Sequence, residues 1–332
     1  MVYDNKRHAV TSWNRLALLG CERCGLVFSH PLPTEAELNE FYSAPDGWES
    51  RLGDDDTSVD QQAELARKLG VKHERYSRAR DMLAEYLTPR DRPRRALDFG
   101  CGLGAWLDVL QDDGWLTTGI EPGPQQREIA GRRHCMMATP PPEETFDLVV
   151  VNHVFEHLRD PMAVMRAIAA CTVEGGRIFV SVPDLGRLPD HGKWGYVKNE
   201  RHICSYTVDA LESLLGLAGF RLLAHLDTPE WDALGESERW HLKVLAEKTG
   251  QVVHPAGEPL RAALDALRAY EPEAQRLEDE ASRAAAEKKA ARVEKEAARV
   301  AAQEHASAQA RPPTLAARIG GALRALRSRI GA

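Results

Sequence analysis

The chain has 332 residues, 43% of them hydrophobic and 28% charged, an ordinary globular composition that excludes a wholly disordered or fibrous chain and allows a sizeable core. Its net charge of −7 is unevenly spread: residues 273–311 balance to zero, Arg318, Arg324, Arg327 and Arg329 give residues 312–332 a charge of +4, and −11 is left on residues 1–272. So acidic a body argues against nucleic acid as a partner, since Lys and Arg supply most of the affinity for phosphate backbones, and no apolar run approaches the ~20 residues of a membrane span.

Residues 1–50 read as a small ribbon-like module. Cys21-Glu22-Arg23-Cys24-Gly25 makes a turn, Leu26 to Phe28 a short apolar strand, and Thr34 opens a helix with Glu37 as its capping-box partner. Met1 to Val10 is polar and shows no secretory leader, and six cysteines in so long a chain do not form a disulfide framework. A cytoplasmic protein with reduced thiols is expected. Residues 51–90 are a helical lead-in: an acidic loop over 53–60, then helical periodicity from Gln61 to Leu87 in two segments broken near Gly70.

Residues 91–250 alternate strand and helix signals. Strands are expected at Arg95 to Phe99, Leu116 to Glu121, Cys135 to Ala138, Asp147 to Val151, Arg177 to Pro183, Phe220 to Asp227 and Trp240 to Glu247. Helices are expected at Ala105 to Asp113, Gln125 to Arg132, Pro161 to Cys171 and Val208 to Ala218. Strands such as Ala96 to Phe99 and Leu148 to Val151 are apolar on both faces, as a sheet covered by helices on both sides requires. The fold class is α/β, a doubly wound and mostly parallel sheet.

Residues 251–311 form a charged helical extension. Its stretch 273–311 contains no Pro or Gly and would reach about 58 Å as one helix. A solvated single helix and a loose coiled coil both stay open. Residues 312–332 are a basic amphipathic tail, with Leu315, Ile319, Leu323, Leu326 and Ile330 on one stripe. That pattern fits a peripheral anchor on the inner face of the membrane, or a helix that docks on a protein partner.

The chemistry concentrates at Asp98-Phe99-Gly100-Cys101-Gly102-Leu103-Gly104, where the first strand of the body turns into its first helix. Glycines there let backbone amides approach a ligand. Gly100, Gly102 and Ala105 also satisfy a dinucleotide pattern. Asp98, however, would face the two negative charges of a pyrophosphate, whereas it would attract a sulfonium and an α-ammonium group. Glu121 ends the second strand, placed to accept hydrogen bonds from both hydroxyls of a ribose.

These residues, followed in order by Phe146-Asp147-Leu148-Val149, Phe155-Glu156-His157-Leu158, Asp160-Pro161 and Gly175-Gly176-Arg177-Ile178, resemble a class I S-adenosylmethionine-dependent methyltransferase over residues 95–227. The resemblance implies a seven-stranded sheet whose last strand is antiparallel. It implies S-adenosylmethionine as cofactor, held by Asp98, Gly100, Gly102, Gly104 and Glu121, with Asn152 and His153 lining its methionine end. His157 and His202 are the candidate catalytic bases, because an unperturbed imidazole titrates near neutrality. The expected acceptor is a small or lipid-linked polar molecule, a sugar hydroxyl in glycan or secondary-metabolite biosynthesis. A protein or RNA methyltransferase, or a non-catalytic scaffold, is the alternative. Cys21 to Phe28 resembles the second half of a zinc ribbon that precedes this domain in some sugar-modifying relatives. The first Cys pair is missing and a structural zinc takes four ligands, so Cys21 and Cys24 are read as a remnant held by packing and no metal is expected.

Overall fold

The computed structural model describes residues 2–4, 17–38, 59–87, 91–143, 145–187, 202–226, 229, 233 and 239–254. Of the loop expected over 53–60, residues 53–58 lie outside the described residues, while Val59 and Asp60 already belong to a helix; the long helix over 273–311 and the amphipathic tail also lie outside them. Among the described residues no helix is long and apolar enough to cross a membrane.

Strands β1 (Val2–Asp4), β2 (Ala17–Gly20) and β3 (Val27–His30) form an antiparallel ribbon. The β2–β3 turn is closed by Cys21 N–H to Leu26 O and Gly25 N–H to Cys21 O, both 2.8 Å, with Gly25 at φ 75° supplying the left-handed residue. The Thr34 capping box is present: Thr34 N–H donates to Glu37 Oε2 at 2.6 Å and Glu37 N–H donates to Thr34 Oγ1 at 3.2 Å.

Helix α1 (Val59–Leu83) runs unbroken through Gly70, contrary to the two segments expected there. Gly70 does not take a left-handed φ and a Cβ there would meet nothing within 4 Å, so neither backbone nor packing requires a glycine. It costs the helix only about 1 kcal/mol relative to alanine, and tertiary packing outweighs that. Ala79 and Leu83 are buried, and Tyr76 stacks on Trp106 with ring centroids 4.7 Å apart.

The main sheet contains β4 (Arg95–Phe99), β5 (Leu116–Ile120), β6 (Cys135–Met137), β7 (Phe146–Asn152), β8 (Thr172–Pro183), β10 (Phe220–His225) and β11 (His241–Lys248). Its order is β10-β11-β8-β7-β4-β5-β6, and β11 is antiparallel to both of its neighbours while β4 to β8 are parallel. Helices α2 (Ala105–Asp112), α3 (Pro124–Gly131), α4 (Pro161–Cys171) and α5 (Val208–Leu217) connect the strands. Asp160 caps α4 by accepting from Ala163 N–H at 2.9 Å, and Thr207 caps α5 through Ala210 N–H at 3.3 Å.

β8 starts five residues before its expected start at Arg177. Gly175 at φ 68° and Gly176, whose Cβ would stand 2.7 Å from Val173 O, accommodate a register shift against β7, and the strand continues back to Thr172. Alternate residues fill two cores. Ala96, Leu148, Val150, Phe179 and Leu245 pack with Trp106 and Leu83, while Leu97, Val149, Val180, Val182 and Val244 pack with Met165, Leu211 and Leu215. At the amino end, Asp147 takes both guanidinium nitrogens of Arg92 and the Arg95 N–H, each at 2.9 Å, which ties β7 to β4.

The two sheets meet through β9 (Cys204–Ser205), a two-residue strand that pairs with β3. The ribbon thereby extends onto the segment between β8 and α5.

Candidate active site

Asp98 is the last residue but one of β4, which passes after Phe99 into a turn where Gly100, Gly102 and Gly104 have φ of 82°, 53° and 87°. A Cβ at Gly100 would collide with Val154 Cγ2, whereas one at Gly102 would meet nothing within 4 Å. Packing thus demands the first glycine, while the second borders open space. Gly104 caps α2 from the left-handed region.

Backbone bonds fix the turn. Gly100 and Cys101 N–H both donate to Ile120 O, at 2.8 and 3.0 Å. The Glu121 carboxylate accepts Gly102 N–H at 2.9 Å and Gly123 N–H at 2.7 Å, one on each oxygen, so it braces the turn and keeps lone pairs for further donors. Sequence reasoning missed the opposite brace. Arg133 donates to Leu103 O at 2.7 Å while its guanidinium holds both Asp108 oxygens at 3.0 Å, and His134 Nε2 lies 2.8 Å from Asp108 Oδ1. Burial would raise the Asp108 pKa, but the His134 and Arg133 hydrogen bonds bring it below the ordinary carboxylate value. Gly119 was also missed: a Cβ there would stand 2.8 Å from Cys101 Sγ and 2.8 Å from Leu107 Cδ1.

Asp98 is 2% exposed. Burial, reinforced by the nearby charge of Glu121 and only partly offset by Lys72, pushes its pKa up to about 8. Asp98, expected as a carboxylate, is therefore favoured as a neutral acid near pH 7, and a cation beside it would favour its ionised form.

At the carboxyl end of β7, Asn152 Nδ2 donates to Tyr76 Oη at 3.3 Å, bringing helix α1 to the site. His153 follows at φ 57°, a left-handed conformation that costs a non-glycine residue about 1–2 kcal/mol. Its N–H donates to Ser181 O at 2.9 Å and its ring meets His241 edge-on at 4.1 Å between centroids.

A 3-10 turn, Phe155–His157, then places Glu156 in the interior at 1% exposure. Burial opposes its charge, but the His153 hydrogen bond and the neighbouring His157, His153 and His202 outweigh burial and lower its pKa to about 2. An ionised carboxylate only accepts, so His153 Nδ1 donates to Glu156 Oε1 at 3.1 Å. His157 Nε2 lies 3.9 Å from the same oxygen, and the His157 and His202 rings meet edge to face at 4.9 Å. The structure therefore brings His157 and His202 together around Glu156, which the sequence reading did not single out.

The segment carrying His202 is held on two sides. Tyr206 Oη donates to Phe155 O at 3.2 Å and Cys204 Sγ to Leu158 O at 3.3 Å, while Ser29 N–H of β3 donates to Ile203 O at 2.9 Å. Cys21 and Cys24 are free thiols. Burial opposes ionisation of Cys21, but the Cys24 and Arg23 N–H groups lower its pKa, whereas burial raises that of Cys24. Among the described residues this pair belongs to no group of three or more metal-ligating side chains.

Residues 71–225 match the sequence profile of a methyltransferase-domain family. A ubiquinone biosynthesis O-methyltransferase of Methylocella silvestris is 31% identical over 155 residues, 40% of this chain and 59% of that one. A trans-aconitate 2-methyltransferase of Agrobacterium fabrum is 31% identical over 132 residues, 37% and 51% of the two chains. The chain thus spans about half the length of the curated relatives it matches. An S-adenosylmethionine-dependent methyltransferase of known structure from Mesorhizobium loti aligns with 49% of this chain and 94% of its own, at 16% identity and a TM-score of 0.41. On the family match and the strand order together, the chain carries a class I S-adenosylmethionine-dependent methyltransferase domain.

Proposed function

We propose that the protein methylates a hydroxyl of a small polar acceptor, with sugar hydroxyls the first class to test. One observation carries this reading: the glycine turn with Asp98 and Glu121, and the Glu156, His157 and His202 group, stand at the carboxyl ends of adjacent parallel strands, where open α/β sheets bind ligands. The match to an O-methyltransferase and to a trans-aconitate methyltransferase, both named for small acceptors, favours this class over a macromolecule.

When bound, S-adenosylmethionine supplies an electrophilic methyl on a sulfonium. The residues suit it. Gly102 borders space that a Cβ would fill, Glu121 retains lone pairs for ribose hydroxyls, and Asp98 can ionise beside a cation. Asn152 and His153, at the end of β7, border the methionine end. The chain must then hold the acceptor oxygen ~3 Å from the methyl carbon, in line with the breaking bond. His157 and His202, beside Glu156, are the groups placed to handle the hydroxyl proton.

His202→Ala should lower turnover by about 100-fold or more, the usual worth of positioned proton transfer, and leave cofactor affinity essentially unchanged. Unchanged turnover would remove His202 from the reaction. Calorimetry on the full chain that finds NAD bound, and neither S-adenosylmethionine nor its demethylated product, would overturn the reading as a whole.

A further inference from the structure

We propose that Glu156, His157 and His202 form a binding site for a divalent transition-metal ion at the acceptor end of the cleft. Their ligand atoms all lie within 4.8 Å of one another. Bonds of about 2.0–2.2 Å to a shared ion bring such donors within roughly 4.3 Å, so small ring and carboxylate rotations close the site.

Glu156 supplies the independent argument. It is an interior carboxylate whose Oε1 is engaged by His153, and its Oε2 is buried and accepts no hydrogen bond from the described residues. A buried carboxylate oxygen left bare is costly, and native structures normally match it with a donor or a cation. His153 fixes the carboxylate from behind, as an outer hydrogen bond does for a metal ligand. The backbone on both sides is pinned by Tyr206 to Phe155 and Cys204 to Leu158.

Two imidazoles and one carboxylate suit manganese, iron, cobalt, nickel or zinc better than magnesium or calcium, which prefer oxygen throughout. Three protein ligands also leave a coordination position open. This inference rests on the hydroxyl-methylation reading and deepens it, because an acceptor hydroxyl at that position would be more acidic. Its proton leaves to solvent, the oxygen forms the bond to the methyl carbon, and the electron pair of the broken carbon–sulfur bond stays on sulfur. No oxidation or reduction is involved. With an ion there, His157 and His202 act as ligands, and this role replaces the proton uptake given them above. A lower turnover of His202→Ala is expected on either account, and the metal titration separates the two.

The test uses the full chain, freed of metal by a chelator and titrated with cobalt(II), read by calorimetry and by the visible ligand-field spectrum. One ion should bind per chain, and Glu156→Gln and His202→Ala should each weaken it at least tenfold. A double Cys21→Ser, Cys24→Ser variant should leave the spectrum unchanged. S-adenosylmethionine affinity, measured on every variant, shows that each one is folded. Cobalt that fails to bind the wild type, or that is lost only with the cysteines, overturns the metal site. If the stripped protein still methylates a hydroxyl at full rate, the metal site also falls while the methyltransferase reading stands.

Discussion

Between Asp98 and Gly123 the proposed cofactor side of the cleft is built from one continuous stretch, and its parts are mostly backbone: three left-handed glycines, the Ile120 carbonyl, and amides gathered by Glu121. The proposed acceptor side draws on side chains from three places, the end of β7 with the turn after it, the segment before α5 and the start of β11, and the backbone of β3 supports the second of them. One half depends on local conformation. The other depends on contacts between segments far apart in sequence, so substitutions should separate the two.

The largest separation is expected at Gly102. The Cβ of a Gly102→Leu side chain would meet no atom within 4 Å, so the main cost to the fold is the left-handed strain of about 1–2 kcal/mol. The same side chain fills the space proposed for the cofactor. Affinity for S-adenosylmethionine, measured by calorimetry, should fall at least about 100-fold, equivalent to ~2.7 kcal/mol, while circular dichroism stays native. Retained affinity would mean that the glycine turn is not the cofactor cradle.

A tenfold effect is expected from pH at Asp98. Its folded-state pKa of about 8 lies above the ordinary 3.8, so the folded protein holds a proton that the unfolded chain has lost. Stability of the ligand-free form therefore falls as pH rises from about 4 to about 8 and then levels off. A cationic ligand favours the ionised form. Below pH 8 its affinity should drop about tenfold per unit, until the pKa of the complex is reached. Asp98→Asn should flatten this dependence, bind the cofactor more weakly at pH 9, and melt at a higher temperature than wild type there. A pH-independent wild-type affinity from pH 6 to 9 would show that Asp98 does not face the bound cation.

The glycine turn proposed to hold the cofactor could be picked out in the sequence because it is contiguous and its residue types declare their backbone needs. The strands and helices of the body could be located in the same way, from alternating apolar runs, while the antiparallel last strand came from the family resemblance. What escaped was tertiary. Gly119 is small because Cys101 and Leu107 crowd it, and neither its position in a strand nor its neighbours in sequence reveal that. The charge state of Asp98 follows from burial, which the motif does not encode. Glu156 was quoted as part of a motif, but its role depends on His202 arriving through β9, a strand of two residues whose partner β3 lies far back in the chain. The break near Gly70 was wrong for the same reason, since propensity at one exposed position is weaker than the packing of Tyr76, Ala79 and Leu83.

The smallest effect is expected at Arg133, where the cofactor turn is braced by a side chain instead of by itself. Arg133→Ala removes the bond to Leu103 O and the bidentate pair with Asp108, leaving Asp108 with His134. The guanidinium is about one-third exposed, at 34%, so water screens the ion pair and the net loss should be about 1 kcal/mol rather than the 1.5–3 of a sheltered charged bond. That corresponds to a melting point lower by about 2–4 °C. Because Leu103 lies between Gly102 and Gly104, the loosened turn should weaken cofactor binding about threefold to fivefold, well under 1.4 kcal/mol, while the acceptor's apparent affinity at saturating cofactor stays put. Arg133→Lys keeps the charge and loses the fork, and should recover the melting point more than the affinity. If the alanine variant instead weakens acceptor and cofactor equally, the two halves are mechanically coupled across β4 and β7, and the division between local and long-range construction does not extend to function.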